Sequence, residues 1–573
     1  MNYREIYKEW LNNEYIDEDT KKELESIKNN ESEIEDRFYK ELEFGTAGLR
    51  GKIGAGTNRM NIYNISKVTQ GLANYITKKG EDYVKRGVAI AFDCRHFSKE
   101  FAKAAALVLA ANGIKTYLFE DLRPTPELSF TVRRLNTAAG IVVTASHNPR
   151  EYNGYKVYSE DGAQILTHVA AGITEEISKV YDLSKVKKIE EEKALDLGLL
   201  KILGKDIDDE YIGKVKGLSL REDIDKDIQI VYTPLNGTGS VPVQRVLKER
   251  GFKNITVVPE QKDPDPDFTT VGYPNPEDTR AFKYSEELGK KVGAELLIAT
   301  DPDCDRLAIE VRNKDGEYVP FNGNQTGVIL INYIIEGMKE KGILPKNPAI
   351  VKSIVTGDLG KAIAKDYGVE TFEALTGFKN ICGLIPELIR QDKQFIFGYE
   401  ESIGYVTGTF VRDKDGVSSA MLLCEAAAYY KSIGKTLLDV LNEVYEKYGY
   451  YREKQISLVL EGIEGKKRIE RMMSFYRNNF PQEINAVKLE RYIDYDRRIE
   501  YKVESGHKMP CRIPKSNVLR FFLEDESWYA VRPSGTEPKI KIYIYTKGKT
   551  AKEAEEKIST MESLILEKLN SVK

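Results

Sequence analysis

One phrase recurs three times along this chain: a short apolar β-rich run, a polar loop carrying Gly or Asp, and a helical stretch closed by glycine. Val88 to Phe92 leads through Asp93 into a helix from Ser98 to Asn112, then Gly113. Ile228 to Tyr232 leads through the loop Thr233 to Ser240 into a helix ending at Arg250 and Gly251. Ala349 to Val355 leads through Thr356, Gly357 and Asp358 into a helix ending at Tyr367 and Gly368. The residues differ each time, so these are not sequence repeats. The shared order predicts α/β domains whose functional loops lie at the carboxyl ends of strands. The last segment breaks the pattern. Strands at Lys454 to Leu460, Ser527 to Val531 and Ile540 to Tyr545, then an amphipathic helix from Ala551 to Leu569, predict a smaller α+β domain.

The expected fold class is therefore α/β, with three similar mixed α/β domains and a C-terminal α+β domain. A chain of 573 residues is too long for one core. The expected boundaries are 1–207, 208–322, 323–452 and 453–573, with a charged amphipathic helical segment over the first 40 or so residues and a turn near Asn29 and Asn30. Acidic residues (90) nearly balance basic ones (86), which argues against a general nucleic-acid or membrane-surface protein. The apolar runs Ala104 to Ala111 and Val328 to Ile335 are too short to span a bilayer and read as buried helices. Five scattered cysteines lack zinc or redox spacing, and the charged N-terminus does not read as a secretory signal, so a cytoplasmic location is expected.

Four motifs carry chemistry. Thr144-Ala145-Ser146-His147-Asn148-Pro149 follows the strand Gly140 to Val143, an exit that presents a hydroxyl at a sheet edge; the alternative is a capped turn. Asp301-Pro302-Asp303-Cys304-Asp305-Arg306 follows the apolar run Leu296 to Ala299. Three carboxylates at alternate positions repel one another without a cation, and oxygen-only ligands suit Mg²⁺. An EF-hand is excluded, because position six is Arg306 and position twelve is Arg312. Gly398-Tyr399-Glu400-Glu401-Ser402-Ile403-Gly404 could grip vicinal sugar hydroxyls or cap the next element. Arg532-Pro533-Ser534-Gly535-Thr536-Glu537-Pro538-Lys539 joins a guanidinium, two hydroxyls and backbone N–H groups, which suits a phosphate dianion as well as an ordinary turn. Arg50, Arg95, Lys156 and Lys379 lie in similar loops, and each taken singly reads as a surface cation.

The order of FGTAGLRG, TASHNP, DPDCDR, GYEES and RPSGTEP resembles the α-D-phosphohexomutase superfamily across essentially the whole chain. YTPLNGTG (232–239), DPDPDF (263–268) and TGFKN (376–380) most resemble its phosphoglucomutase and phosphopentomutase subgroup. The resemblance implies four domains around a central cleft, each giving one loop. It implies that Ser146 is a phosphoserine, that Ser146, Asp301, Asp303 and Asp305 hold Mg²⁺, and that Glu400 and Ser402, with Lys379 nearby, bind the sugar. It further implies that Arg532, Ser534, Gly535 and Thr536 hold the idle phosphate. The implied reaction interconverts glucose 1-phosphate and glucose 6-phosphate, with glucose 1,6-bisphosphate as intermediate and activator. Phosphopentomutase, phosphomannomutase, bisphosphate synthase and phosphatase activities are the alternatives. Sugar phosphates are the expected partners, with no nucleic acid or membrane, and the protein is expected to be a monomer or weak homodimer.

Two departures stand out. Asn236 precedes Gly237 where many relatives have His, and Ser402-Ile403-Gly404-Tyr405 stands where hexosamine and mannose mutases have Ser-Gly-His. That second histidine is considered a proton carrier in such relatives. With it missing, Lys156 is the candidate base; His147 completes the catalytic set, and Arg50 and Arg306 are the candidate neighbours of the transferring charge.

Overall fold

Strand pairing divides the chain as the recurring phrase implies. The computed structural model describes residues 2–534 and 538–572. Among the described residues, four sheets form, and the first three share one plan. In the first, Ala139–Val143, Val88–Phe92, Thr116–Phe119 and Leu200–Leu203 run parallel, and Tyr152–Ser159 and Leu49–Lys52 add antiparallel at one edge. In the second, Leu296–Thr300, Ile230–Thr233 and Ile255–Val257 run parallel, with Leu307–Arg312 and Tyr318–Phe321 antiparallel beside Leu296–Thr300. In the third, Glu370–Ala374, Pro348–Ser353 and Gln394–Glu400 are parallel and Gly404–Thr407 is antiparallel. The fourth sheet is antiparallel throughout and carries the helix Ala551–Ser571. The protein thus has three α/β domains and a β-rich C-terminal domain.

The central parallel strands are buried along their whole length, as strands covered on both faces must be: Val88–Phe92, Ala139–Val143 and Leu296–Thr300 expose no residue. The second and third domains share one continuous core. The helix Gly416–Ser432 makes this possible. It is apolar nearly all round and buried along most of its length, so it is a core element and not an amphipathic surface helix. The third and fourth domains meet over Ile354, Val355, Trp528 and Tyr545.

Three details differ from the sequence reading. The N-terminal segment is three helices, Tyr3–Asn12, Glu18–Ser26 and Glu31–Phe38, because Asp17 accepts a hydrogen bond from the Thr20 amide and starts a helix where a continuous one was expected. The helix Lys205–Lys216 runs across residue 207, between the last strand of the first sheet and the first strand of the second. Residue 452 lies inside the strand Tyr450–Val459, which pairs along its whole length with Lys539–Gly548. No described helix is long and apolar enough to cross a membrane.

Candidate active site

The chemistry-bearing loops occupy one topological position. In each α/β domain, the parallel strand that borders the antiparallel one turns back on itself, and the turn carries the motif. Ala139–Val143 turns into Tyr152–Ser159 through Ser146; Leu296–Thr300 turns into Leu307–Arg312 through Asp301 to Arg306; Gln394–Glu400 turns into Gly404–Thr407 through Glu401 to Ile403. The second and third turns are tied together: the Leu307 amide donates to the Ile403 carbonyl at 3.1 Å, and the Arg306 guanidinium donates to the Ser402 carbonyl at 2.9 Å.

Ser146 meets the acidic loop directly. Its hydroxyl donates to Asp301 Oδ2 at 2.6 Å and lies 3.2 Å from His147 Nδ1. The Ser146 residue is buried, and its amide donates to Thr144 Oγ1 at 2.8 Å. Asp301, Asp303 and Asp305 are all buried, and one ligand oxygen from each lies within 4.8 Å of the others. Asp301 Oδ1 accepts from the Asp305 and Arg306 amides at 3.1 and 3.0 Å, which curls the loop. Asp303 Oδ1 and Asp305 Oδ1 are buried without a hydrogen-bond partner. Two orphaned carboxylate oxygens in a three-carboxylate cluster are what a hard divalent cation would satisfy, so the donor set fits Mg²⁺.

The electrostatics follow from that crowding. Burial, then the Asp303 and Asp305 charges, push the Asp301 carboxyl far above its usual range. Asp303 goes the other way. Burial alone would raise it, but the Lys156 ammonium, with hydrogen bonds from Lys156, Asp301 and Thr125, holds it low. Lys156 Nζ is 2.7 Å from Asp303 Oδ2 and 3.8 Å from Asp305 Oδ2. Its neighbours are carboxylates, not the cations the sequence reading gave it. Thr125 braces the same aspartate from the first domain, its hydroxyl 2.8 Å from Oδ2 and its amide 2.9 Å from the Asp303 carbonyl. Burial pulls the Arg306 guanidinium down, and Glu277, Asp305 and Asp301 more than offset that. His147 is pushed well below its ordinary value, by burial first and then by Arg306 and Arg50.

The remaining expected residues spread outward. Arg50 is exposed on Leu49–Lys52 and donates to Asn148 Oδ1 at 3.2 Å. Glu400 is buried, and its Oε1 accepts from the Gly377 amide at 2.5 Å, so the TGFKN and GYEES segments meet. Burial and then the Glu401 charge raise its pKa to about 7. Glu401 itself accepts from Ser353 and Thr356 hydroxyls at 3.0 and 2.9 Å. Lys379 is half-buried, and burial lowers its pKa. In the fourth domain, Arg532 donates to the Tyr543 hydroxyl at 3.5 Å, and the Ser534 amide donates to the Lys539 carbonyl at 2.8 Å. Gly535 and Thr536 lie outside the described residues.

Sequence reasoning missed two residues. Lys414 Nζ lies 3.0 Å from Asp305 Oδ2 and 3.1 Å from Asp413 Oδ1. Burial lowers its pKa, but those two carboxylates raise it further and keep it charged. The segment Arg412-Asp413-Lys414-Asp415 was the available signal, four alternating charges directly before an apolar helix. Arg95, read as a surface cation, is fully buried under the serine loop. Its guanidinium donates to the carbonyls of Ser146 (2.5 Å), Pro149 (2.9 Å) and Tyr152 (3.0 Å), and to that of Asn148. One planar cation thereby fixes the path of the loop that presents Ser146.

Comparison with known proteins agrees with this architecture. Residues 41–183, 209–315 and 322–448 match the phosphoglucomutase/phosphomannomutase α/β/α domains I, II and III, respectively. The chain is 41% identical over 534 residues to a phosphoglucomutase of Staphylococcus aureus strain MRSA252, covering 93% of this chain and 94% of that protein. The strain MSSA476 phosphoglucomutase is 40% identical over the same length. Among solved structures, the open form of the Paramecium phosphoprotein pp63/parafusin aligns with a TM-score of 0.68 at 18% identity, over 92% of this chain and 95% of that one. A phosphoglucomutase/phosphomannomutase family protein from Burkholderia thailandensis aligns with a TM-score of 0.65 at 18% identity, over 92% and 97%.

Proposed function

The chain belongs to the phosphoglucomutase/phosphomannomutase family, within the α-D-phosphohexomutase superfamily, and is a phosphosugar mutase; from that premise we propose that it interconverts glucose 1-phosphate and glucose 6-phosphate through phospho-Ser146 and glucose 1,6-bisphosphate. The observation that carries this reading is the Ser146 hydroxyl, 2.6 Å from Asp301 in a cluster with two unpartnered carboxylate oxygens. The substrate follows the relatives that are 40% or more identical, which are phosphoglucomutases.

Ser146 Oγ and the three aspartates would hold Mg²⁺, which when bound supplies positive charge against the oxygens of the transferring phosphoryl group. The protein's own residues do the rest. Phospho-Ser146 donates its phosphoryl group to the free hydroxyl of the hexose monophosphate. The P–O bond to Ser146 breaks as the bond to the sugar oxygen forms; the Lys156 ammonium gives a proton to Ser146 Oγ and is restored by the proton leaving the sugar hydroxyl. The bisphosphate turns end for end and returns its other phosphate. Ser146 Oγ attacks, its proton passes to Lys156 as the Lys156 ammonium protonates the freed sugar oxygen, and His147, held neutral, accepts a hydrogen bond from the hydroxyl through Nδ1. The lysine ends as it began. Arg306 and Arg50 face the charge that moves. Lys414, charged and bonded to Asp305, keeps the acidic loop in place beside the sugar. Glu400 and Ser402, with Lys379 close by, hold the sugar. Arg532 and Ser534, with Gly535 and Thr536, hold whichever phosphate is idle, since a guanidinium fork reads the phosphate and ignores the sugar.

The test is turnover of glucose, mannose and ribose 1-phosphates with Mg²⁺ and a trace of glucose 1,6-bisphosphate. The expected product is the isomer, formed fastest from glucose 1-phosphate. Release of inorganic phosphate instead would make the protein a phosphatase, and faster turnover of mannose or ribose phosphate would reassign the substrate.

A further inference from the structure

Two sequence motifs have no part in the proposed chemistry: YTPLNGTG (232–239) and DPDPDF (263–268). Both belong to the second domain, and the second of them packs against the first domain. Asn236, in the left-handed region at φ 59°, donates its side-chain amide to the carbonyls of Asp263 (2.8 Å) and Glu260 (3.3 Å). That fixes the base of a long loop over residues 263–278. Asp265 then accepts from the Asp267 and Thr269 amides at 3.0 and 2.8 Å, which folds the loop on itself. The turn drives Phe268 inward, where it is fully buried.

The loop touches the serine site at successive points. The Phe268 ring lies 4.9 Å from the Arg95 guanidinium carbon, on the same cation that gathers the carbonyls of the Ser146 loop. Asp267 Oδ1 is 3.1 Å from His96 Nε2 and 3.4 Å from Arg150 Nη1, and those two residues flank Arg95 and the TASHNP turn. The Tyr273 ring meets the His147 imidazole edge-on, with centroids 6.2 Å apart. Glu277 lies 3.9 Å from Arg306, which spans from this loop to the Ser402 carbonyl.

We infer that residues 263–278 are a positioning loop through which the second domain sets the geometry of the phosphoserine turn in the first. Phe268 covers a face of Arg95, whose terminal nitrogens donate in plane to the serine loop while Nε faces Asp93. Tyr273 holds the imidazole with Nδ1 toward Ser146 Oγ. The same domain carries the acidic loop, so one rigid unit places both the metal ligands and the nucleophile. The contacts of this loop run to the serine turn and to Arg306, while the expected sugar and idle-phosphate residues lie in the third and fourth domains. The loop should therefore act on the rate of phosphoryl transfer and leave substrate capture alone.

This inference rests on the phosphoserine reading of Ser146, and the experiment separates the two. Wild type, Phe268→Leu, Asp267→Asn, Tyr273→Leu and Tyr273→Phe are each incubated with glucose 1,6-bisphosphate, and the phosphoryl group on Ser146 is followed by mass. Steady-state kcat and KM for glucose 1-phosphate are measured on the same samples, with melting temperatures. Loss of one aromatic–cation contact is expected to lower kcat about tenfold in Phe268→Leu, with KM within about twofold. Tyr273→Leu is expected to lose about fivefold in kcat, and Tyr273→Phe, which keeps the ring, to recover most of that. Asp267 and Tyr273 are partly exposed, so their variants decide the matter even where Phe268→Leu fails to fold. Unchanged kcat in Tyr273→Leu and Asp267→Asn overturns the inference, as does a fall in melting temperature with kcat per folded molecule intact, or a rise in KM that accounts for the whole loss. A wild-type protein that takes no phosphoryl group on Ser146 overturns the functional reading itself.

Discussion

Glu400 gives the sharpest test of the sugar loop, because the structure predicts opposite signs for activity and stability. Its carboxyl is buried beside Glu401 and ionises with a pKa of about 7 in place of 4.5. A carboxylate that accepts hydrogen bonds from sugar hydroxyls must be ionised to bind best. At pH 6 only about a tenth of a group with that pKa is ionised, and at pH 8 about nine-tenths. On that basis kcat/KM should fall about tenfold between pH 8 and pH 6. The substrate phosphate titrates in the same region, so the assay compares wild type with Glu400→Gln. The glutamine keeps an oxygen for the Gly377 amide but cannot titrate. Its profile carries only the substrate's ionisation, and the difference between the two curves isolates Glu400.

Stability moves the other way. A carboxyl whose folded pKa lies above its unfolded value binds more protons folded than unfolded over the interval between them. Its contribution is therefore favourable at low pH and is lost as pH rises from about 4.5 through 7. A shift of that size corresponds to about 3 kcal/mol at most. Glu400→Gln should then melt higher than wild type at pH 8 and equally at pH 4.5, while being slower at pH 8. A residue kept at a cost in stability marks a functional constraint. The reasoning is refuted if the two proteins share one pH–rate difference of zero, or if the variant melts lower than wild type at pH 8.

Asp303→Asn should lower kcat by about a hundredfold or more while KM for glucose 1-phosphate changes only a few-fold, and excess chelator should stop the wild type until Mg²⁺ is restored. Arg532→Ala should raise KM and shorten the number of turnovers per glucose 1,6-bisphosphate lost, with Arg532→Lys a partial rescue; an unchanged turnover number with raised KM would limit Arg532 to substrate capture. Glu310, buried on Leu307–Arg312 near Glu286, has its pKa raised to about 8 by burial first and then by that neighbour. By the same sign argument, the wild type should lose on the order of 3 kcal/mol as pH rises through that window, and Glu310→Gln should remove the loss; equal melting curves for the two from pH 6 to 9 would contradict it.

The sequence made the strands and their loops legible where the physics is local. Alternation, glycine stops and short apolar runs located Val88–Phe92, Pro348–Ser353 and the final helix Ala551–Ser571 to within a few residues. DPDCDR located the acidic cluster, because three carboxylates in five residues have few other uses, and TASHNP located the hydroxyl that meets it. Burial of polar residues was not legible. Arg95 and Lys414 look in sequence like any surface cation, and only the folded chain shows one collecting four carbonyls and the other paired to Asp305. Lys156 was given the wrong neighbours, since spacing says which loops converge but not which charges face each other.

The turns themselves hold something that no residue pattern announces. Ser146, Cys304 and Ile403 each sit at the tip of a site loop with positive φ, at 53°, 51° and 54°. None is glycine, and a β-branched residue such as Ile403 meets a steric penalty there, of about 1 kcal/mol or more. Sequence rules place such backbone at Gly or Asn, so they pass over all three positions. The reason for the conformation is topological. Each loop reverses the chain between a parallel strand and its antiparallel neighbour within a few residues, and a left-handed residue makes the reversal tight enough to bring side chains from three domains together. At Ser146 the residue in that backbone is itself the proposed nucleophile. The main chain then sets the direction in which its Cβ projects, and the four carbonyl contacts of Arg95 hold that main chain in place. Rigidity of this kind suits a group that must be donor and acceptor in alternate half-reactions, because the same Oγ has to meet either end of one bisphosphate at the same point in space.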